Sequence, residues 1–422
     1  MLATIRTEFA MNGFLITIII LYLAIVAFGY WLDFLNLSHL KKCGSVIPPE
    51  FEGQIDQALL SKTKDYTVEH TKFGFVSSVF NNLLFLLFIL VLLNIYNSWV
   101  ISLDYSFILS GIVFFLLLTY GETIISIPFS LYSTFKIENR YGFNTMTFKL
   151  WVMDTIKSLL ISTILTGLLI AAGLFIIQKS PDLWWFWVWC FFLAFGIFMM
   201  YISPYVIEPL FHKFTPVGDD KLEEGIRALM QKVGIKVSRV FKIDASKRTK
   251  HTNAYFTGIG KVKRIVLYDT LIEKMDYNEI MSVLAHEAGH WKKKHILKSI
   301  IMTETIALIS IFVAYHVIQG DVLITLFNIK ESSLFAKLII LGFIGSIVSF
   351  PFGPVFHYFS RKHENEADKY SFDLTGNADS MISALVKLSK DNLSNLHPHP
   401  LYALFHYSHP PVLERIRKIR EF

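Results

Sequence analysis

The sequence has few charged residues and almost no cysteine, and both shortages limit what the protein can be. Only 18% of its 422 residues are Asp, Glu, Lys or Arg, whereas soluble globular domains carry about 25%. Its two cysteines, Cys43 and Cys190, are too few for a disulfide framework or a cysteine-based zinc site. The net charge of +6 is small, and no segment has the dense basic face that nucleic-acid binding requires. The composition therefore excludes a soluble globular protein and a nucleic-acid-binding protein.

Long apolar runs are what the sequence has in excess. Hydrophobic residues make up 53% of the chain, and the run 13–32 contains 20 uncharged residues. A helix of that length crosses about 30 Å of hydrocarbon, the thickness of a bilayer core. Further runs lie at 74–97, 106–131, 156–177, 183–203, 299–319 and 334–358. We therefore predict a mostly α-helical, multi-pass membrane protein with about seven transmembrane helices, the sixth being the weakest because it contains Glu304.

The basic residues indicate which loops face the cytoplasm. Lys and Arg are concentrated in 33–73, 132–155, 204–298 and the tail from 359, and the loops of the opposite side hold few. Cytoplasmic loops of membrane proteins carry an excess of Lys and Arg. We therefore expect an external N-terminus and a cytoplasmic C-terminus.

The long segment 204–298 is polar enough to fold outside the membrane. Residues 219–234 predict an amphipathic helix that begins at Asp219 or Asp220 and ends at Gly234. Three short runs rich in β-branched and aromatic residues predict strands of a small sheet, at Val240–Ala245, Asn253–Gly258 and Arg264–Leu271. A second helix is predicted at Asn278–Lys294.

That second helix contains the sequence His286-Glu287-Ala288-Gly289-His290, which has the form H-E-x-x-H. The spacing of four residues places both imidazoles on one helical face, where they can bind one Zn²⁺ at about 2.0–2.1 Å. Glu287 then reaches the open coordination position as the base for a water molecule. The alternative is a surface helix with two histidines in structural roles, because five residues alone are a weak signal.

A catalytic zinc site needs a third protein ligand, and a segment after the last apolar run offers one. Residues 360–368 (SRKHENEAD) place Glu364 and Asp368 four residues apart on an expected helix. Glu364 suits a ligand role, and Asp368 suits an acceptor for the N–H of a ligand imidazole. Other residues compete with Glu364 for the ligand role, namely His363, Glu366 and His357.

Two further segments supply polar candidates. In the tail 397–416, His409 and Arg415 are cationic donors that suit a tetrahedral oxyanion. Asn253 lies on a predicted strand and suits hydrogen bonding to a substrate backbone by strand addition, although an ordinary edge or turn role is equally compatible. We expect the remaining histidines of the tail to be loop residues, namely His397, His399 and His406.

Taken together, six segments resemble the type I CAAX prenyl protease family of integral-membrane zinc metalloendopeptidases. The segments appear in the family's order and are the polar loop with Glu138, Gly142, Phe143 and Asn144, EPLFHKFTPV (208–217), KRTKHTNAYFTG followed by KRIVLYDTL (247–271), LAHEAGHWKKKH (284–295), SRKHENEAD (360–368) and YSHPPVLERI (407–416). One departure is Thr252, which stands where the family usually has Ser. Six motifs in order are far more specific than one H-E-x-x-H.

The resemblance implies a role for each candidate residue. One Zn²⁺ is expected to be held by His286, His290 and Glu364, with Glu287 as catalytic base. Asp368 is expected to support a ligand histidine. Substrate or transition-state contacts are implied for Asn253 and His409, with Arg415 nearby. The resemblance also implies seven helices around a water-filled chamber, closed at its cytoplasmic end by a zincin-like α+β metalloprotease domain.

We accordingly divide the chain into four parts. These are membrane helices one to five with their loops (1–203), the soluble metalloprotease segment (204–298), membrane helices six and seven (299–358), and the C-terminal part of the metalloprotease domain (359–422). The expected substrate is a peptide or a prenylated protein, and the expected surroundings are a lipid bilayer, with no nucleic acid and a monomeric chain. The location is the endoplasmic reticulum membrane in a eukaryote, or the inner membrane of a bacterium, where a relative would cleave membrane or misfolded proteins.

A competing function is a transporter or channel with a non-catalytic zinc site. Such a protein is expected to show paired repeats and broken helices, which the sequence lacks, and it has no use for Glu287. A non-catalytic scaffold has no use for this glutamate either. Both alternatives are therefore less favoured than a zinc endopeptidase.

Overall fold

The apolar runs lie in seven helices that are long and apolar enough to cross a membrane, which confirms the predicted number. The computed structural model describes residues 2–257 and 262–422, and the count applies to these residues. The first five of these helices are α1 (Leu2–Cys43), α2 (Gln57–Ser102), α3 (Phe107–Tyr141), α4 (Phe148–Lys179) and α5 (Trp184–Phe211).

A small mixed sheet and three helices follow α5. The strands are β1 (Phe214–Pro216), β2 (Lys236–Ile243), β3 (Ala254–Thr257) and β4 (Val262–Tyr268), and the helices are α6 (Asp220–Val233), α7 (Asp269–Lys274) and α8 (Tyr277–Lys292). The strand order is β1-β2-β4-β3, with β2 and β4 parallel and the two outer strands antiparallel to their neighbours. The outer strand β3 is therefore an edge of the sheet.

The rest of the chain returns to the membrane and then completes the soluble part. These helices are α9 (His295–Gln319), α10 (Val322–Leu326), α11 (Leu334–Ser349), α12 (Gly353–Thr375), α13 (Ala378–Asp391), α14 (Pro400–His406) and α15 (Val412–Arg420). A short turn of 3₁₀-helix joins α11 to α12, and the two together form the seventh membrane helix, Leu334–Thr375.

The membrane helices form a wall that is mostly one helix thick. In the most apolar window of each span, between 0% and 17% of the residues are buried. A closely packed bundle would bury one full face of every helix. The helices therefore surround an interior space, and the end distant from the soluble part is filled by a cluster that includes Phe114, Leu323 and Phe335.

The predicted soluble elements are present, but the predicted strand ends are misplaced by one to four residues. The helix α6 is capped by Asp219, whose side chain accepts from the Leu222 amide, and it ends at Gly234 with a φ of 81°. However, β2 begins at Lys236 rather than Val240, and β4 ends at Tyr268 because α7 begins at Asp269. Short apolar runs do not distinguish a strand from the first turn of a buried helix.

The second predicted strand, Asn253–Gly258, corresponds to β3 and begins one residue later than expected. It begins at Ala254, so Asn253 precedes it, and the predicted end at Gly258 lies outside the described residues. The short strand β1 was not predicted, because Phe214–Pro216 ends in a proline, which sequence rules assign to edge strands or to none.

Close packing of α8 against α12 positions the site. Asp276 and Glu279 form a reciprocal capping box that fixes the start of α8. At Gly289 the two helices approach so closely that an added Cβ would lie 3.0 Å from Cα of Ala367. One buried cluster then joins α6, the sheet and α8 to Ala384 of α13, so residues from both ends of the soluble part share a core.

Candidate metal centre

Three side chains that are distant in sequence meet between α8 and α12. Nε2 of His286 lies 3.2 Å from Nε2 of His290. The carboxylate of Glu364 lies against both rings, with Oε2 at 3.3 Å from His286 Nε2 and Oε1 at 3.3 Å from His290 Nε2. Within the described part of the chain, these residues form the one group of His, Cys, Asp or Glu side chains with metal-ligand spacing.

The triangle of donor atoms fits a tetrahedral metal ion. Ligands at about 2.0–2.1 Å from a tetrahedral centre lie about 3.3–3.4 Å from one another, close to the 3.2 and 3.3 Å found here. Glu364 is only 5% exposed, and its Oε2 accepts no hydrogen bond. Burying a carboxylate is costly unless it is paired with a cation or binds a metal, and Nη1 of Arg415 lies 3.8 Å from Oε2 of Glu364. Two imidazoles and a carboxylate are therefore a donor set that a divalent metal would complete.

Asp368 and Arg415 support the ring of His286 from the opposite side. Oδ1 of Asp368 lies 2.8 Å from Nδ1 of His286. Arg415 donates to both carboxylate oxygens, from Nε at 2.8 Å and from Nη2 at 2.6 Å. Burial alone lowers the pKa of His286, but Asp368 and Glu364 outweigh it and raise this pKa to about 9. The acidic surroundings therefore favour positive charge at this position.

Glu287 lines a cleft of about 250 Å³ together with two of the candidate ligands, His286 and Glu364. The same cleft is lined by Asn253, His409 and Arg415, so six of the eight residues that the resemblance implies for the site border one space. Burial raises the pKa of Glu287, which increases its basicity when ionised. A raised pKa is suited to a group that must take and return a proton near neutral pH.

The cleft also touches the free edge of the sheet. Asn253 is exposed and directly precedes β3, and its Oδ1 accepts from the Ala254 amide at 2.8 Å. On the other side, His409 Nε2 lies 3.4 Å from Glu364 Oε1, and the His409 side chain is 62% exposed. The cleft is therefore bordered by an edge strand, the carboxylate of Glu287, the candidate ligands His286 and Glu364, and an accessible imidazole.

The competing His363 and the histidines of the tail have other contacts. His363 stacks on the ring of His295 with a centroid distance of 4.1 Å. In the tail, His397 contacts the carbonyl of Val46, and His399 accepts from the Leu401 amide at the start of α14. His406 packs on Tyr402. None of these side chains belongs to the group with metal-ligand spacing in the described chain.

Asn392 and His251 were not among the residues predicted for the site. Asn392 lines the cleft and its Oδ1 lies 2.6 Å from Nδ1 of His251. His251 also stacks on Phe143 at 4.2 Å, and its Nε2 lies 3.6 Å from Glu138. The polar loop between α3 and α4 therefore docks beside the cleft, and its run of polar residues was the available signal.

Comparison with known proteins agrees with this architecture. The family described as CAAX prenyl protease N-terminal, five membrane helices, matches residues 36–213, and peptidase family M48 matches residues 216–422. A CAAX prenyl protease 1 homolog of Arabidopsis thaliana is 35% identical, covering 96% of this chain and 97% of that protein. The CAAX prenyl protease 1 of Saccharomyces cerevisiae is 34% identical, covering 88% of this chain and 87% of that protein.

The crystal structure of S. mikatae Ste24p gives the same result for the fold. It superimposes with a TM-score of 0.88 at 31% identity, covering 96% of this chain and 98% of that one. The similarity therefore extends through the membrane helices and the soluble part alike. The chain belongs to peptidase family M48, among the proteins related to CAAX prenyl protease 1, and is an integral-membrane metalloendopeptidase.

Proposed function

We propose that the chain uses one zinc ion, held by His286, His290 and Glu364, to cleave prenylated proteins near their C-terminus. The observation that carries the proposal is the triangle of donor atoms with Glu287 beside it in the same cleft. Two imidazoles and one carboxylate are the ligands of hydrolytic zinc sites that keep a position open. The names of the relatives support prenylated CAAX proteins as the substrate class.

Zinc held there would act as a Lewis acid on the scissile carbonyl and on a water molecule. The half-buried carboxylate of Glu287 accepts the proton of the attacking water and returns it to the leaving amine. His409 donates to the oxyanion from the exposed side of the cleft. Arg415 lines the same cleft, and its Nε and Nη2 both donate to Asp368, so it positions this carboxylate beside the site.

The edge strand β3 is suited to holding the substrate backbone. An extended peptide can add to an exposed sheet edge through main-chain hydrogen bonds. Asn253 stands where such a peptide would leave β3 and approach the metal ligands. We propose that the peptide lies along β3, with Asn253 donating a hydrogen bond to its backbone.

The ligand assignment is tested by metal analysis of purified variants. We expect Glu364→Ala to lose nearly all zinc, while the wild-type chain holds one ion per monomer. Asp373→Ala is the matched control, because Asp373 is an exposed carboxylate on the same helix that pairs with Lys369. Full zinc occupancy in Glu364→Ala would reject the assignment.

The substrate class is tested with two peptides of identical CAAX sequence, one farnesylated and one unmodified. The proposal predicts release of the C-terminal tripeptide, detected by mass spectrometry, with the farnesylated peptide strongly preferred. Equal cleavage of both peptides would reject prenyl recognition and favour a broader endopeptidase. Because the relatives include yeast and human proteins, we place the chain in the endoplasmic reticulum membrane with its metal site facing the cytoplasm.

A further inference from the structure

A second chain of contacts leads away from the metal centre on the side of His290. Nδ1 of His290, on the ring edge opposite to the metal-facing Nε2, lies 3.1 Å from Nδ1 of His295. Nε2 of His295 then lies 3.0 Å from Oε2 of Glu366. Helical spacing puts Glu366 about 200° around α12 from Glu364, so Glu366, a competitor for the ligand role on sequence grounds, does not reach the metal position with Glu364.

The positions of the protons in this chain follow from metal binding. A histidine that binds a metal through Nε2 carries its proton on Nδ1. Nδ1–H of His290 therefore donates to Nδ1 of His295, which must be unprotonated to accept. The proton of His295 is then on Nε2, from which it donates to the carboxylate of Glu366. Each ring nitrogen of His290 and His295 then binds the metal, donates one hydrogen bond or accepts one, and none is left without a partner.

The backbone and the surroundings hold His295 in this position. Lys294 adopts a left-handed conformation with a φ of 57°, which costs energy for a residue with a side chain. This residue turns the chain between α8 and α9, and it brings the His295 ring back against His290. His295 is only 3% exposed, and it is flanked by the stacked ring of His363.

The two ligand histidines are thus supported in different ways. His286 contacts the carboxylate of Asp368 directly, whereas His290 reaches the carboxylate of Glu366 through a second imidazole. Partners of this kind fix the tautomer and orientation of a ligand imidazole and raise its basicity. Because the imidazole of His295 lies between His290 and Glu366, the carboxylate fixes the orientation and tautomer of His290 through this second ring.

We propose that His295 and Glu366 are positioning residues for the metal ligand His290, acting as a carboxylate–imidazole relay that sets its tautomer and strengthens metal binding. The inference rests on the metal site of the proposed function. It assigns a role to a buried histidine at the start of a membrane helix and to a carboxylate that does not itself touch the metal position.

The test measures the zinc dissociation constant of the full-length chain in detergent by competition with a chelator. His295→Phe keeps a ring of similar shape for stacking on His363 and removes both nitrogens. We expect it to bind zinc about 10–100-fold more weakly, the usual effect of losing the partner of a ligand histidine. Glu366→Ala is expected to weaken binding in the same direction. Glu366→Gln is expected to restore most of the affinity, because its amide oxygen can accept the same hydrogen bond.

A control variant and a stability measurement separate the possible outcomes. Asp373→Ala removes an exposed carboxylate from the same helix and should bind zinc as the wild-type chain does. A merely structural role would lower the melting temperature of the metal-free protein without changing its zinc affinity. Wild-type affinity in both His295→Phe and Glu366→Ala, with loss of zinc in Glu364→Ala, would overturn the relay alone. Wild-type affinity in Glu364→Ala as well would overturn the metal site itself. Because Glu366 is partly exposed, its variants remain informative if His295→Phe fails to fold.

Discussion

Replacing Asp368 with alanine removes a carboxylate that serves two buried partners at once. The residue is 2% exposed, and it contacts His286 on one side and receives two hydrogen bonds from Arg415 on the other. Breaking a buried ion pair from one side typically costs about 3–5 kcal/mol, because the remaining charge is left unpaired. Loss of the partner of a ligand histidine costs about 10–100-fold in metal affinity. We therefore expect Asp368→Ala to lose both stability and zinc affinity.

A double variant separates these two effects. In Asp368→Ala/Arg415→Met the unpaired guanidinium is gone, and replacing a buried ion pair with apolar side chains is often neutral or stabilising. The melting temperature of the metal-free double variant should therefore return most of the way to the wild-type value. Its zinc affinity should remain as low as that of Asp368→Ala, because the contact to His286 is still missing.

The assay is thermal denaturation of metal-free protein in detergent, combined with zinc competition on the same preparations. Recovery of zinc affinity in the double variant would show that Asp368 acts only by neutralising Arg415. An unchanged melting temperature in Asp368→Ala would show that the ion pair contributes nothing to stability. Either result would refute the reasoning.

Three further predictions concern packing, topology and substrate binding. In Gly289→Ala the added Cβ would lie 3.0 Å from Cα of Ala367, so the variant should be less stable by about 1–3 kcal/mol and hold less zinc. Thermal denaturation and metal analysis measure the two effects. Reporter domains fused after Gly320 and after Phe422 should report opposite sides of the membrane, the second one cytoplasmic; the same side for both would reject the seven-span topology. Asn253→Ala should raise KM for peptide with zinc content unchanged, and an unchanged KM would remove Asn253 from the substrate site.

The parts of the fold that could be predicted from sequence are those with a strong local signal. A run of 20 uncharged residues can cross a bilayer only as a helix, because its backbone groups must be hydrogen-bonded within the segment. The membrane helices were therefore predicted correctly. The pair His286 and His290 follows from helical periodicity in the same way. The need for a third ligand followed from chemistry, since two histidines leave a metal without enough ligands, but Glu364 was one of several candidates until the family resemblance implied it.

The parts that could not be predicted depend on contacts between distant segments. His295 contacts His290 only because Lys294 takes up a left-handed conformation, which no residue pattern near it indicates. Arg415 both lines the cleft and donates to Asp368 because α15 packs against α12. The strand ends were misplaced for a simpler reason, since a few apolar residues fit a strand or a buried helical turn equally well.

The central claim is that this membrane protein hydrolyses peptides with a metal site in which Glu287 is the base. The most direct measurement compares wild-type chain with Glu287→Gln for zinc content and for turnover of a farnesylated CAAX peptide. The variant should hold one zinc ion and fold normally, but its turnover should fall by roughly two to four decades, as expected for loss of a general base. Addition of a chelator should abolish the wild-type activity, and added zinc should restore it. Cleavage by zinc-loaded Glu287→Gln at a rate near wild type would contradict the account.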